Sequence, residues 1–280
     1  MKILCFGEII WDVFSQHKSI GGAPLNFCAH AVKNGAKGYL ISAVGNDNLG
    51  AQALTEIKQM GINTAYISTN SLPTGNCLVG ADEKGLPIYS IATNCAYEEL
   101  ILSDEILTNE FDALCFGTLA IYNENNLNVL NNLLKNNKFK VVFCDLNLRK
   151  PFYNAINVDF ALSNCTHLKI NEDELSYLFE RGLTQKSSAL EEVFKELCDK
   201  FNNIQSIIYT VGEKGAYLYL SKTNELLYMK AKKVDVVSTV GAGDCFGATV
   251  LTELLKGTSN KKALEIATQK TAKLISKKVN

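Results

Sequence analysis

The segment Thr239-Val240-Gly241-Ala242-Gly243-Asp244-Cys245-Phe246 sets a glycine-rich turn and one carboxylate between a β-branched run and an apolar stretch of helical period. That order of residue types suits phosphoryl transfer. Glycines let backbone N–H groups converge on an anion, a helix start adds unpaired donors and a partial positive charge, and an aspartate there can orient an attacking hydroxyl. Taken alone, the same residues also fit a glycine-softened turn with a capping aspartate. Gly241, Gly243 and Gly247 give G-x-G-x-x-x-G with no Lys-Ser/Thr pair after them, so neither a Rossmann fingerprint nor a Walker A loop fits. A phosphate donor would have to be held by different chemistry.

The elements that must position this turn are short apolar runs alternating with segments of helical period, the pattern of a sheet built from βαβ units. Lys2 to Phe6, Tyr39 to Val44, Ala113 to Phe116, Val141 to Cys144, His167 to Ile170 and Ser206 to Thr210 read as buried strands. Leu49 to Met60, Asn126 to Leu134, Leu190 to Phe201 and Ala263 to Ile275 place apolar residues on one helical face. One stretch breaks the alternation. Ala65 to Ile67, Asn76 to Ala81 and Pro87 to Ala92 are strand-like runs in succession, with Asp82-Glu83-Lys84-Gly85 as a turn, and they call for a separate small sheet. Asn76 to Ala81 is expected as an edge strand there.

Composition narrows the class. With 280 residues, 47% of them hydrophobic and only four prolines, the chain can bury a sizeable core. A formal net charge of −1 from 28 basic and 29 acidic residues leaves no electrostatic footprint for nucleic acid or an anionic membrane, and the lysines from 273 to 278 read as a solvated helix end. Nine cysteines without C-x-x-C pairing argue for a reducing compartment, and Cys165 with His167 is too thin a pair for zinc. No basic leader and no run near the ~18 apolar residues of a membrane span is present, so a cytoplasmic location is expected.

Further motifs lie in order along the chain: Gly21-Gly22-Ala23-Pro24-Leu25-Asn26, Val44-Gly45-Asn46-Asp47, Asp145-Leu146-Asn147-Leu148-Arg149, Asn171-Glu172-Asp173-Glu174 and Thr210-Val211-Gly212-Glu213-Lys214-Gly215. Together with Gly241-Ala242-Gly243-Asp244 they resemble the signatures of the ribokinase-like (PfkB) family of sugar kinases. The resemblance covers nearly the whole chain. It implies a three-layer α/β/α sandwich over residues 1–280, a single domain with a small β-sheet lid from about 9–20 and 65–94, with Gly21-Gly22 as hinge. It also implies site roles. Asp244 would act as base toward the sugar hydroxyl, and the N–H groups of Ala242, Gly243 and Asp244, after Gly241, would form an anion hole. Asp12, Gly22 and Asn26, with Arg149 as a further candidate, would bind sugar hydroxyls, and Trp11 and Phe27 would supply apolar walls or belong to the lid core. Thr210, Gly212 and Gly215 would border ATP, while Asn171 and Glu174 would act on Mg²⁺ and phosphate through water. Each position also has a plain structural reading. Asp12 and Asn26 fit cap or turn residues, Arg149 could pair with Asp145, and Asn171 with Glu174 fits a capping box.

Two departures from the family pattern matter. Ser238 stands where D-T-x-G-A-G-D has its aspartate, which helps hold a monovalent cation in activated members, so K⁺ activation is not expected. The chain also stops at Lys277-Lys278-Val279-Asn280 where many members carry a glycine-containing loop. The contexts of Glu8 to Asp12, Gly21 to Asn26 and Asp145 to Phe152 look most like bacterial fructokinases, which points to D-fructose. Ribose and 2-keto-3-deoxygluconate are the kinase alternatives, and a catalytically silent sugar-binding regulator is the alternative outside enzymes. A homodimer through the lid is expected.

Overall fold

A computed structural model describes residues 1–81, 87–187 and 189–276. The turn expected at Asp82 to Gly85 and the terminus at Lys277 to Asn280 lie outside the described residues. The chain packs as two compact units, Met1–Phe139 and Lys140–Asn280.

The first unit contains β1 (Lys2–Phe6), β2 (Ile10–Val13), β3 (Lys18–Gly21), α1 (Ala23–Lys33), β4 (Lys37–Gly45), α2 (Asn48–Gln59), β5 (Ile67–Asn70), β6 (Gly75–Ala81), β7 (Pro87–Ile91), α3 (Asp104–Thr108), β8 (Ala113–Phe116) and α4 (Glu124–Asn136). β1 runs parallel to β4 on one side and to β8 on the other, and β5 lies parallel beside β4. β1 and β8 are buried along almost their whole length, as parallel strands covered on both faces must be. A second sheet has the order β3-β2-β6-β7. Ile10, Cys77, Cys95 and Tyr97 form its core, with Val79, Ile91 and Ala92 packed against them.

Two expectations about the small sheet are corrected. Of the run placed at Ala65 to Ile67, Ile67 alone lies in a strand, as the first residue of β5, whose register with Ser42 to Gly45 of β4 puts it in the larger sheet. A strand that follows helix α2 returns naturally beside the strand that precedes it. The small sheet also takes β3, most of which falls within the 9–20 span expected for the lid, paired antiparallel to β2. The second correction concerns the edge: β6 is paired on both sides, parallel to β2 and antiparallel to β7, so β3 and β7 are the edges.

The second unit contains β9 (Val141–Asp145), α5 (Ala155–Asn164), β10 (His167–Asn171), α6 (Glu172–Glu180), α7 (Leu190–Lys200), β11 (Ser206–Thr210), β12 (Ala216–Leu220), β13 (Glu225–Met229), α8 (Ala242–Leu255) and α9 (Asn260–Ile275). Its strand order is β13-β12-β11-β10-β9, with β9, β10 and β11 parallel and the final hairpin antiparallel. That hairpin went unread in the sequence. Its signal was the alternation of Ala216-Tyr217-Leu218-Tyr219-Leu220, and Asn224 turns the chain with φ +52°. α8 packs on α9 and on β9. All nine cysteines are free and buried. No helix of the described residues is long and apolar enough to cross a membrane.

Burial pushes His30 and His167 down to about 4, with Lys33 adding to the effect at His30. Both folded values lie below the ordinary 6.5, so the unfolded chain takes up protons first as pH falls. Their stabilising contribution is complete above pH 6.5 and is lost between 6.5 and about 4. A His30→Gln, His167→Gln variant is therefore expected to lose less stability than the parent over that window, read as the shift of the urea midpoint with pH.

Candidate active site

The start of α8 follows from local backbone chemistry. Gly241 adopts φ +72° and ψ 5°, the left-handed conformation open to glycine, and serves as the N-cap residue. Ala242, Gly243 and Asp244 then occupy the first turn, where backbone N–H groups lack intrahelical acceptors. The structure modifies one expected donor: the Ala242 N–H donates to the Thr239 carbonyl at 3.1 Å, closing the turn. The Ala242 N–H is thus engaged within the turn itself. Asp244 also suits the partial positive charge of the helix start.

Directly below this turn lies a residue that the motif reading missed. A Cβ built on Gly243 would meet Lys169 Nζ at 3.0 Å and Cε at 3.6 Å. Lys169 is 5% exposed, and its ammonium donates to both carboxylate oxygens of Asp145, at 2.9 and 2.8 Å. Burial works against the Lys169 charge, but Asp145, Glu174 and Asp244 more than offset it and hold the ammonium above the ordinary lysine value. The signal was present in the sequence as a single charge inside the apolar strand His167 to Ile170, because a buried charge requires a partner.

Asn171 and Glu174 realise the capping box in full. Asn171 Oδ1 accepts from the Glu174 N–H at 2.9 Å, and Glu174 Oε2 accepts from the Asn171 N–H at 2.8 Å. Glu174 Oε1 also accepts from the Leu148 N–H at 3.1 Å, which ties α6 to the chain after β9. Burial, with Asp145 next, pushes the Glu174 carboxyl up to about 7, against the opposing pull of Lys169 and the two N–H donors. Its linkage runs opposite to that of the histidines: raised above 4.5, it costs the fold stability as pH climbs toward 7. Among the described residues no three His, Cys, Asp or Glu side chains cluster so as to hold a metal ion. Such a donor set fits Mg²⁺ carried mainly by phosphate oxygens and water, since that ion keeps several waters.

The nucleotide-side candidates sit at the end of β11. Thr210 Oγ1 donates to the Ile170 carbonyl at 3.4 Å, and Gly212 and Gly215, with φ +53° and +126°, bracket a short 3-10 turn. Val237 and Ser238 N–H groups donate to the Ile275 carbonyl, so the end of α9 anchors the segment that leads into Gly241. Ser238 Oγ accepts from the Val240 N–H at 3.3 Å. Asp235 is exposed.

The sugar-side candidates of the first unit converge on one turn. A Cβ on Gly21 would meet Asp12 Oδ2 at 3.0 Å, and Gly22 caps α1 with φ +111°. The Asn26 N–H donates to the Gly22 carbonyl at 2.9 Å, in the first turn of α1, and the buried Glu8 carboxylate accepts from the Ala23 N–H at 3.0 Å. Gly22 has little freedom to change, because a Cβ there would overlap the Glu8 carbonyl oxygen. Gly22→Ala is expected to cost about 1–3 kcal/mol of stability, read by thermal unfolding. Trp11 and Phe27, expected as apolar walls, are each 1% exposed and belong to the core, and Trp11 Nε1 donates to the Leu49 carbonyl. Arg149 is exposed and does not pair with Asp145, whose carboxylate is taken by Lys169.

Comparison with known proteins gives the family and the fold. The family model described as pfkB family carbohydrate kinase matches residues 2–279. An uncharacterized sugar kinase of Pyrococcus horikoshii is 25% identical over 276 residues, covering 91% of this chain and 83% of the relative. Its crystal structure superposes with a TM-score of 0.83 over 99% of this chain and 93% of its own, at 22% identity. A ribokinase of Haemophilus influenzae is 25% identical over 264 residues, 92% of this chain and 81% of that protein. The structure of a fructokinase of Xylella fastidiosa with bound ATP gives a TM-score of 0.85 at 18% identity, covering 99% and 92% of the two chains. The fold is therefore the ribokinase-like α/β fold.

Proposed function

This chain belongs to the pfkB family of carbohydrate kinases, and from that premise we propose that it transfers the γ-phosphoryl group of ATP to the primary 6-hydroxyl of D-fructose. The observation that carries the reading is the start of α8, where a left-handed Gly241 leads into first-turn N–H groups and Asp244 occupies the same turn. Asp244 takes the proton of the attacking hydroxyl as the new oxygen–phosphorus bond forms and the bond to ADP breaks. The Gly243 and Asp244 N–H groups stabilise charge on the transferring phosphoryl oxygens. Mg²⁺, when bound with the nucleotide, neutralises phosphate charge, with Asn171 and Glu174 acting on it through water. Thr210, Gly212 and Gly215 border the nucleotide.

Asp12, Gly22 and Asn26 recognise sugar hydroxyls, since aspartate and asparagine supply directional acceptors and asparagine also donates. The small sheet acts as the lid that keeps water from the phosphoryl group, with the Gly21-Gly22 turn as its hinge. A homodimer through this sheet would pair at its edge strands, β3 and β7. The uncharged Ser238 supports turnover without K⁺, and nine buried thiols support a reducing cytoplasm. The exposed Arg149 favours 2-keto-3-deoxygluconate as the second reading, because an acidic sugar needs a cation.

The deciding experiment is coupled ADP release with Mg²⁺-ATP against D-fructose, ribose and 2-keto-3-deoxygluconate, each with and without K⁺. Turnover selective for fructose and indifferent to K⁺ is the expected result. Preference for the acid sugar moves the assignment to the second reading, and sugar binding without phosphorylation identifies a silent regulator instead.

A further inference from the structure

We propose that Lys169 is a positioning residue for phosphoryl transfer, its buried ammonium forming the floor under Gly243 that sets where the first turn of α8 presents its N–H donors and Asp244. The inference rests on the assignment of that turn as the transfer site. Three observations carry it. Among the described residues other than its two chain neighbours, Lys169 is the one side chain found within 4 Å of the position a Gly243 Cβ would take, with Nζ 3.0 Å from it. Its ammonium is fixed by two hydrogen bonds to Asp145, a residue only 6% exposed. Both residues sit on the adjacent parallel strands β9 and β10 with Lys169 directly opposite Asp145, so the floor is a rigid sheet rather than a loop.

The need for glycine at 243 is thus one of packing, since a Cβ would press on the ammonium at 3.0 Å. Any side chain there would displace the ammonium or lift the turn. The influence passes through Gly243 and the helix start. Lys169 need not touch the substrate.

The test compares wild type with Lys169→Met and with Asp145→Asn/Lys169→Met, the latter removing both charges so that no buried carboxylate stands alone. Two readouts are taken on the full chain: the amide resonances of Ala242, Gly243 and Asp244, and steady-state kinetics with Mg²⁺-ATP on the sugar that wild type turns over. The expected result is displaced amide resonances at all three positions in the double variant, with a kcat lower by at least ~10-fold and KM values within about threefold, since small misplacements of reacting groups cost rate before binding. A purely stabilising role would lower the unfolding midpoint and leave both readouts unchanged, and that outcome overturns the proposal. If wild type is silent on every sugar, the kinase assignment falls separately, and the amide resonances still decide whether Lys169 positions the turn.

Discussion

Asp244→Asn is expected to lower kcat for sugar-dependent ADP release by about 10²–10⁴-fold, the range that a general base supplies. Asparagine preserves the size of the side chain and its place in the first turn of α8, so the glycine turn and the helix should fold as before. What it loses is the ability to take a proton. KM for both substrates should move little, because the N–H donors at Gly243 and the sugar-side residues Asp12, Gly22 and Asn26 are untouched. Steady-state kinetics beside a binding titration with Mg²⁺-ATP separates the two effects. A variant with unchanged kcat would remove Asp244 from the role of base, and one that cannot bind ATP would show that the carboxylate is part of the fold of the turn.

Lys169→Met carries the second large effect, on stability. Asp145 and Lys169 are 6% and 5% exposed, and the substitution leaves the Asp145 carboxylate buried without its ammonium, close to the buried Glu174. Breaking such a pair by removing one partner costs about 3–5 kcal/mol. Replacing both partners together is far milder, since neither charge is then stranded. Urea denaturation should therefore place Lys169→Met well below wild type and Asp145→Asn/Lys169→Met closer to it. Equal losses in the single and double variants would mean that the introduced methionine side chain packs badly, independently of charge.

The recurrence of buried β-rich runs and helical stripes in the sequence anticipated most of the sheet. β1, β8 and β11 coincide with the expected runs, and β4, β9 and β10 extend them by one to a few residues. Such strands are legible because, buried on both faces, they show as unbroken apolar stretches. β3 and β5 were not legible in the same way. β3 is polar and half exposed, and the strand at residues 67–70 carries Ser68, Thr69 and Asn70, so neither has a hydrophobic signature. β3 is held by closing a short hairpin on β2, and β5 by returning beside β4 after α2.

The candidate site divides along the same line. Residue type and spacing alone determined the glycine turn, the carboxylate at its helix start, the capping pair Asn171 and Glu174 and the glycine pair before α1, because local backbone conformation makes these demands within a few residues. Tertiary structure alone decided that Trp11 and Phe27 are core and that Asp145 pairs with Lys169 instead of Arg149. Asp145 and Lys169 are separated by α5 in the chain and brought opposite one another by the parallel register of β9 and β10. A buried charge is visible in a sequence, but the partner that makes it tolerable is selected by register, which only the folded sheet supplies.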